Sequence, residues 1–141
     1  MSEPRKKLLI IDNELELTEI LKFAMEEMGG FDVRTENNPT RAAAAARQFA
    51  PDLIVLDIRM PDLDGADVIL RIRNEPSLAR IPVIFLTGNV TEDETGRLGG
   101  RLGNCRLLPK TMPLENLAAI FKEFEASASA QSGAVSPSRA A

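Results

Sequence analysis

Polar side chains follow four apolar runs of this sequence, each at the point where the run ends. Two carboxylates with an amide beside the first would offer the hard oxygen ligands that Mg²⁺ prefers in proteins. The two carboxylates would repel each other until a divalent cation or a lysine intervenes. A threonine hydroxyl and a lysine opposite the metal would hold an anion, most simply a phosphoryl group. The residues concerned are Asp12, Asn13, Glu14, Asp57, Thr87, Asn89 and Lys110, with Gly88 between Thr87 and Asn89.

Repeated strand–helix units are predicted by the alternation of apolar runs with amphipathic stretches. Residues 8–11, 53–56 and 83–86 are continuously apolar, as in strands buried on both faces, and weaker strands are predicted at 31–35 and 105–108. Right-handed crossovers then give a doubly wound α/β fold, with an open, parallel, five-stranded sheet and helices on both faces. Ligands of such sheets bind beyond the carboxyl ends of the strands, where the polar residues should converge.

The amphipathic stretches predict five helices. They are expected at residues 14–28, 39–50, 66–74, 91–102 and 114–124. The apolar positions of the first helix, which should form its buried face, are Leu17, Ile20, Leu21, Ala24 and Met28. Asn38 is expected to cap the second helix ahead of Pro39. Glycines in the fourth helix should make it the least stable.

Composition excludes several classes of function. The chain has no His and one Cys, so it can build neither a Ser-His-Asp triad nor a His-ligated or thiolate-only metal site. Its 21 acids against 17 bases, a net charge of −4, argue against nucleic acid as a main partner. No apolar run is long enough to span a membrane, and a cytoplasmic location is expected. Residues 1–125 are expected to form one domain, and 126–141, rich in Ala and Ser, a disordered tail.

Four segments occur in the order and spacing of a known family. They are Leu9-Ile10-Ile11-Asp12-Asn13-Glu14, Leu56-Asp57-Ile58-Arg59-Met60-Pro61-Asp62-Leu63-Asp64-Gly65, Leu86-Thr87-Gly88 and Pro109-Lys110. On these segments, about residues 6–125 resemble the receiver domain of two-component response regulators. The resemblance implies a flavodoxin-like (βα)5 strand order, which places the site at the switch point of the sheet.

The resemblance also implies a phosphorylation switch. Asp57 would accept a phosphoryl group from a phosphohistidine on a sensor histidine kinase or a histidine phosphotransfer protein. The implied Mg²⁺ ligands are Asp12, Asn13, Asp57 and the backbone carbonyl of Arg59. Thr87 and Lys110 would bind the phosphoryl oxygens, while Arg59 and Asn89 would set the lifetime of the acyl phosphate. Such a protein is not an enzyme beyond catalysing its own phosphorylation and dephosphorylation.

Signalling would then proceed by contact with a downstream protein. The expected contact surface comprises the fourth predicted helix, the fifth strand and the last helix. Since no output domain follows residue 125, the chain is expected to be a single-domain regulator. Because it has no His, the donor imidazole must belong to the partner.

The sequence departs from the family pattern at three positions, and a fourth departure is the glycine-rich fourth predicted helix, which would lie on the usual partner-binding face. Asn13 stands where the family has the second acid of a pair, so Mg²⁺ affinity should fall. Glu14, one residue further on, would compensate for the missing charge if it faced the site, but it is expected to point along the start of the first helix. Thr111 replaces a proline that follows Lys110 in the family, and Leu107 replaces the aromatic switch residue. These departures leave an alternative open, a pseudo-receiver that binds partners without phosphorylation.

One segment resembles a motif of a class of enzymes. Asp62-Leu63-Asp64-Gly65 imitates the motif of aspartate-nucleophile phosphatases, but that motif requires a buried strand directly before its first Asp. Here the strand runs into Asp57, so the segment reads as a turn before the third helix. A calcium loop is excluded because its first and twelfth ligand positions would be Met60 and Arg71.

Overall fold

The fold is a parallel sheet between two layers of helices. The computed structural model describes residues 5–57, 65–87, 105–109 and 112–134. In chain order the elements are β1 Lys7–Ile11, α1 Leu15–Glu27, β2 Asp32–Glu36, a 3-10 helix Pro39–Arg41, α2 Ala42–Phe49, β3 Leu53–Asp57, α3 Gly65–Arg73, β4 Val83–Thr87, β5 Cys105–Pro109 and α4 Leu114–Ala134. All five strands pair in parallel, in the order β2-β1-β3-β4-β5. The predicted doubly wound sheet is confirmed, while the fourth predicted helix, residues 91–102, lies outside the described residues.

Each face of the sheet contributes to its own apolar cluster. In β1, Leu8 and Ile10 pack with residues of α1 and α4, whereas Leu9 and Ile11 pack with residues of α2 and α3. Successive side chains of a strand point to opposite faces, so one apolar run serves both clusters. This double burial explains why the central strands are continuously apolar instead of alternating.

The face that α1 buries differs from the predicted one. Ile20 and Met28 were expected to be inward but are 52% and 50% exposed, while Thr18 and Met25 are buried. At 3.6 residues per turn, Ile20 lies about 100° from Leu21, at the flank of the buried face. Met28 is the C-cap residue, where the chain leaves the helix. These two predictions are therefore wrong.

The predicted start of the second helix is confirmed as a capped turn. The side chain of Asn38 accepts a hydrogen bond from the backbone amide of Thr40 at 3.0 Å, and Pro39 opens the 3-10 helix that leads into α2. At the other end, Ala50 caps α2 in the left-handed conformation with φ +54°. A residue with a Cβ is disfavoured there, so Ala50 stores backbone strain.

The last helix is longer than predicted. Leu117 and Phe121 are buried, and Leu114, Ile120 and Phe124 pack against the same cluster, which confirms the predicted face. α4, however, continues to Ala134, into the segment predicted to be a disordered tail. That prediction rested on the lack of side chains to bury, but alanine is also the strongest helix former. No helix among the described residues has the length and apolar character needed to cross a bilayer.

Candidate functional site

Asp12 and Asp57 lie at the carboxyl ends of two neighbouring strands. Ile11 of β1 pairs with Leu56 of β3, so Asp12, directly after β1, and Asp57, the last residue of β3, reach the same edge of the sheet. Asp12 is only 1% exposed and Asp57 only 4%. Two carboxylates that are so deeply buried are costly unless a cation or hydrogen bonds stabilise their charges.

A tight turn holds Asp12 at the start of α1. Its side-chain oxygen Oδ1 accepts a hydrogen bond of 2.9 Å from the backbone amide of Glu14, the N-cap residue of the helix. The backbone amide of Asp12 donates to the carbonyl of Glu36 at 3.2 Å, which extends the pairing of β1 with β2 to the site. Both contacts fix the backbone from which the Asp12 carboxylate extends.

Asn37 and Thr18 support this turn from the β2 side. The Asn37 side-chain amide donates to the carbonyl of Asp12 at 2.8 Å and to the hydroxyl of Thr18 at 3.0 Å. The fully buried Thr18 donates in turn to the carbonyl of Leu15 at 2.7 Å. Neither residue was predicted from the sequence to support the site. Thr18 left one signal, a polar residue on the otherwise apolar face of α1, whereas Asn37 left none beyond its place after a strand.

The carboxylate of Glu14 joins those of Asp12 and Asp57. One oxygen from each of the three side chains lies within 4.8 Å of the other two. The prediction from the sequence that Glu14 points along the helix is therefore wrong. The reason is local: Glu14 has an extended backbone, with φ −85° and ψ 99°, so its side chain does not leave the chain in a helical direction. The cluster therefore has three carboxylates where the sequence suggested two and an amide.

This donor set is suited to a hard divalent cation. All three side chains present oxygen, Asp12 and Asp57 from buried positions and Glu14 from an exposed one. Carboxylate oxygens are the ligands that Mg²⁺ and Ca²⁺ favour over softer donors. The cluster of Asp12, Glu14 and Asp57 can therefore bind a metal ion. Asn13, the intervening residue, is exposed.

The remaining residues predicted for the site are described only in part. Thr87 ends β4 opposite Pro109, and Leu107 of β5 pairs with Phe85, so the backbones of both reach the expected region of the sheet. Their side chains lie outside what the structure describes, as do Arg59, Asn89, Lys110 and Thr111. The described part of the site is its acidic half, built on β1 and β3.

Comparisons with known proteins identify a family for this arrangement. The family model of the response regulator receiver domain matches residues 8–122. A transcriptional regulatory protein CpxR homolog of Haemophilus influenzae is 37% identical over 116 residues, which cover 82% of this chain and 48% of that protein. The polar-differentiation response regulator DivK of Brucella anthropi is 31% identical over 102 residues, covering 72% of this chain and 80% of DivK.

Solved structures share this fold. The chemotaxis protein CheY4 of Vibrio cholerae matches with a TM-score of 0.79 at 21% identity, covering 86% of this chain and 99% of CheY4. At that identity the likeness establishes the fold alone. The chain spans about half the length, or less, of several curated relatives that it matches, including the Haemophilus protein and a DNA-binding regulator of Synechocystis at 33%.

Proposed function

Because the chain belongs to the family of response regulator receiver domains, we propose that it works as a phosphorylation switch with Asp57 as the phosphoacceptor. The observation that carries this proposal is the position of Asp57, buried at the tip of β3 with the carboxylates of Asp12 and Glu14 within 4.8 Å. A nucleophile surrounded by acids needs a cation before it can approach a phosphoryl group, which is itself anionic. The acidic half of the site provides for that cation.

Mg²⁺ is the cation proposed for this site. The residues that would hold it, following the family pattern, are Asp12, Asn13, Asp57 and the backbone carbonyl of Arg59. When bound, Mg²⁺ supplies positive charge that offsets the repulsion between the carboxylates and the incoming phosphoryl oxygens. The hydrogen bond from Glu14 and the contacts of Asn37 keep Asp12 in position for this role.

Phosphoryl transfer is proposed to proceed by direct attack. One oxygen of Asp57 bonds to phosphorus, and the bond from phosphorus to the imidazole nitrogen of the donor breaks, with the electron pair remaining on that nitrogen. The product is an acyl phosphate on Asp57. Thr87 and Lys110 are proposed to bind the phosphoryl oxygens, and Arg59 and Asn89 to set the lifetime of the acyl phosphate.

The proposed partners lie on both sides of this reaction. The chain has no His, so the phosphohistidine belongs to another molecule, a sensor histidine kinase or a histidine phosphotransfer protein. The signal would pass to a downstream protein that contacts residues 91–102, β5 and α4. We propose that this chain acts in the cytoplasm. Apart from turning over its own phosphoryl group, the chain would not act as an enzyme.

Phosphorylation by a small donor tests the proposal. Wild-type protein incubated with Mg²⁺ and acetyl phosphate should gain the mass of one phosphoryl group, measured on the intact chain. Asp57→Asn should not gain this mass. Asp52→Asn is the control, because Asp52 lies outside the site and accepts a hydrogen bond from the backbone amide of Lys7; this variant should react like the wild type. Equal modification of Asp57→Asn would overturn the assignment of the site. Failure of the wild type with acetyl phosphate and with histidine kinases would favour the phosphorylation-independent pseudo-receiver.

A further inference from the structure

The metal site that the family pattern implies lacks one charge in this chain. Its ligand set contains Asn13 in place of an acid, and an amide oxygen can bind Mg²⁺ but does not neutralise it. The two negative charges of Asp12 and Asp57 equal the charge of the divalent ion, so the site has no excess negative charge to attract it. A further carboxylate close to these two would restore the usual balance.

Glu14 is the residue that can provide this carboxylate. Its backbone is fixed beside the site, because its amide donates to Oδ1 of Asp12 at 2.9 Å. Its side chain is not used as a helix cap, because it accepts no capping hydrogen bond from the backbone amides of the first turn of α1, all of which are within the described residues. The side chain is instead turned toward Asp12 and Asp57.

The distances fit a shared ion. Mg²⁺ binds oxygen at about 2.0–2.1 Å, so two ligands on opposite sides of the ion lie about 4.2 Å apart. The three carboxylate oxygens lie within 4.8 Å of one another, which is close to this spacing, and the exposed Glu14 is the residue with the most freedom to adjust. The two buried aspartates are more constrained, so the adjustment falls on Glu14.

We propose that Glu14 is a ligand of the divalent cation, carrying the negative charge that Asn13 cannot supply. This inference rests on the proposed function, since it concerns the cation of the same site. It assigns a metal-binding role to a residue outside the ligand set implied by the family. It also removes one reason for expecting a weak site, because the charge lost at residue 13 returns at residue 14.

Isothermal titration calorimetry of Mg²⁺ into the full chain provides a readout independent of phosphorylation, and the absence of Trp and Tyr leaves little fluorescence to follow. Glu14→Gln should weaken Mg²⁺ binding about tenfold or more, since even outer-sphere partners of a metal contribute that much. Glu16→Gln is the matched control, an exposed acid in the first turn of α1, and should bind like the wild type. Adding Asn13→Asp to Glu14→Gln should recover most of the lost affinity.

The outcomes separate this inference from the proposed function. If Glu14→Gln binds Mg²⁺ as tightly as the wild type while Asp57→Asn does not, the role of Glu14 is refuted and the site remains. If the wild type binds no Mg²⁺, both proposals fall. A far-ultraviolet circular dichroism melt of each variant without metal shows whether it is folded, and the rise in its melting temperature with Mg²⁺ gives a second measure of binding.

Discussion

Asn37 donates a hydrogen bond of 2.8 Å from its side-chain amide to the backbone carbonyl of Asp12. The bond joins the end of β2 to the turn that presents two of the three acids in the cluster. Asn37 contacts no atom of a carboxylate through this bond, so its effect on the site is one of position. This supporting contact comes from a residue after β2, outside the sequence motif that contains the acids.

Asn37→Ala should therefore reduce both stability and metal binding. Loss of its two hydrogen bonds should cost about 1–3 kcal/mol in the free energy of unfolding, because the carbonyl of Asp12 and the hydroxyl of Thr18 lose a donor. Mg²⁺ binding should weaken as Asp12 loses its fixed position. The measurements are urea denaturation and titration calorimetry. Asn38→Ala is the control: loss of the cap should cost about 1 kcal/mol without affecting Mg²⁺. Equal metal affinity in both variants would refute the positioning role.

Thr18→Val should reveal whether Thr18 and Asn37 act together. The substitution keeps the shape of a fully buried side chain but removes the acceptor for Asn37 and the donor to Leu15. We expect a loss of about 1–3 kcal/mol. In the double variant with Asn37→Ala, the loss in the free energy of unfolding should be smaller than the sum of the two single losses. The reason is that both substitutions remove the same hydrogen bond between Asn37 and Thr18. Strict additivity in urea denaturation would indicate that the two residues contribute separately.

Ala50→Gly should stabilise the protein. The left-handed backbone at φ +54° costs a residue with a Cβ about 1–2 kcal/mol. Glycine removes this cost, but its greater freedom in the unfolded chain lowers the free energy of unfolding by about 0.4–1 kcal/mol. The net gain should be up to about 1.6 kcal/mol in the free energy of unfolding. Ala44→Gly, the same change inside α2, should instead cost about 1 kcal/mol. A destabilised Ala50→Gly would mean that the strain is compensated elsewhere.

Mg²⁺ should stabilise the folded protein, since the unfolded chain does not bring Asp12, Glu14 and Asp57 together. At a concentration one hundred times the dissociation constant, the gain should be about 2.7 kcal/mol. Thermal melts at increasing Mg²⁺ measure it, and EDTA should reverse it. Asp57→Asn should lose most of the gain. An identical gain in Asp57→Asn would show that the ion binds elsewhere.

The fold was predictable because its strands are buried on both faces. In β1, β3 and β4 every residue of the run lies in a core cluster or beside one, and such runs are readable without a structure. Asp12 and Asp57 could be paired for the same reason, since parallel strands end at one edge. The edge position of β5 was also indicated by Pro109, which lacks an amide to donate.

The direction of Glu14 could not be predicted. Whether a residue at a helix start follows the helix or faces the preceding strand depends on its backbone angles, which here are set by the bond to Asp12. Periodicity carries no information at a helix end, where the repeat has not begun. The same limit explains Met28 at the other end of α1. The support from Asn37 depends on the pairing of β1 with β2, a contact between segments distant in sequence.

The pairing of β1 with both β2 and β3 also has a kinetic consequence. The pairing of β1 with β2 brings the amide of Asp12 to the carbonyl of Glu36, and the pairing of β1 with β3 brings Asp12 to Asp57. Both pairings join segments that are distant in sequence and so close long loops. Parallel strand pairs are slow to form because loop entropy is lost before their contacts are gained. The capacity to bind a cation should thus arise only when the N-terminal half of the sheet has assembled, so ion binding in a stopped-flow refolding experiment would report a late event.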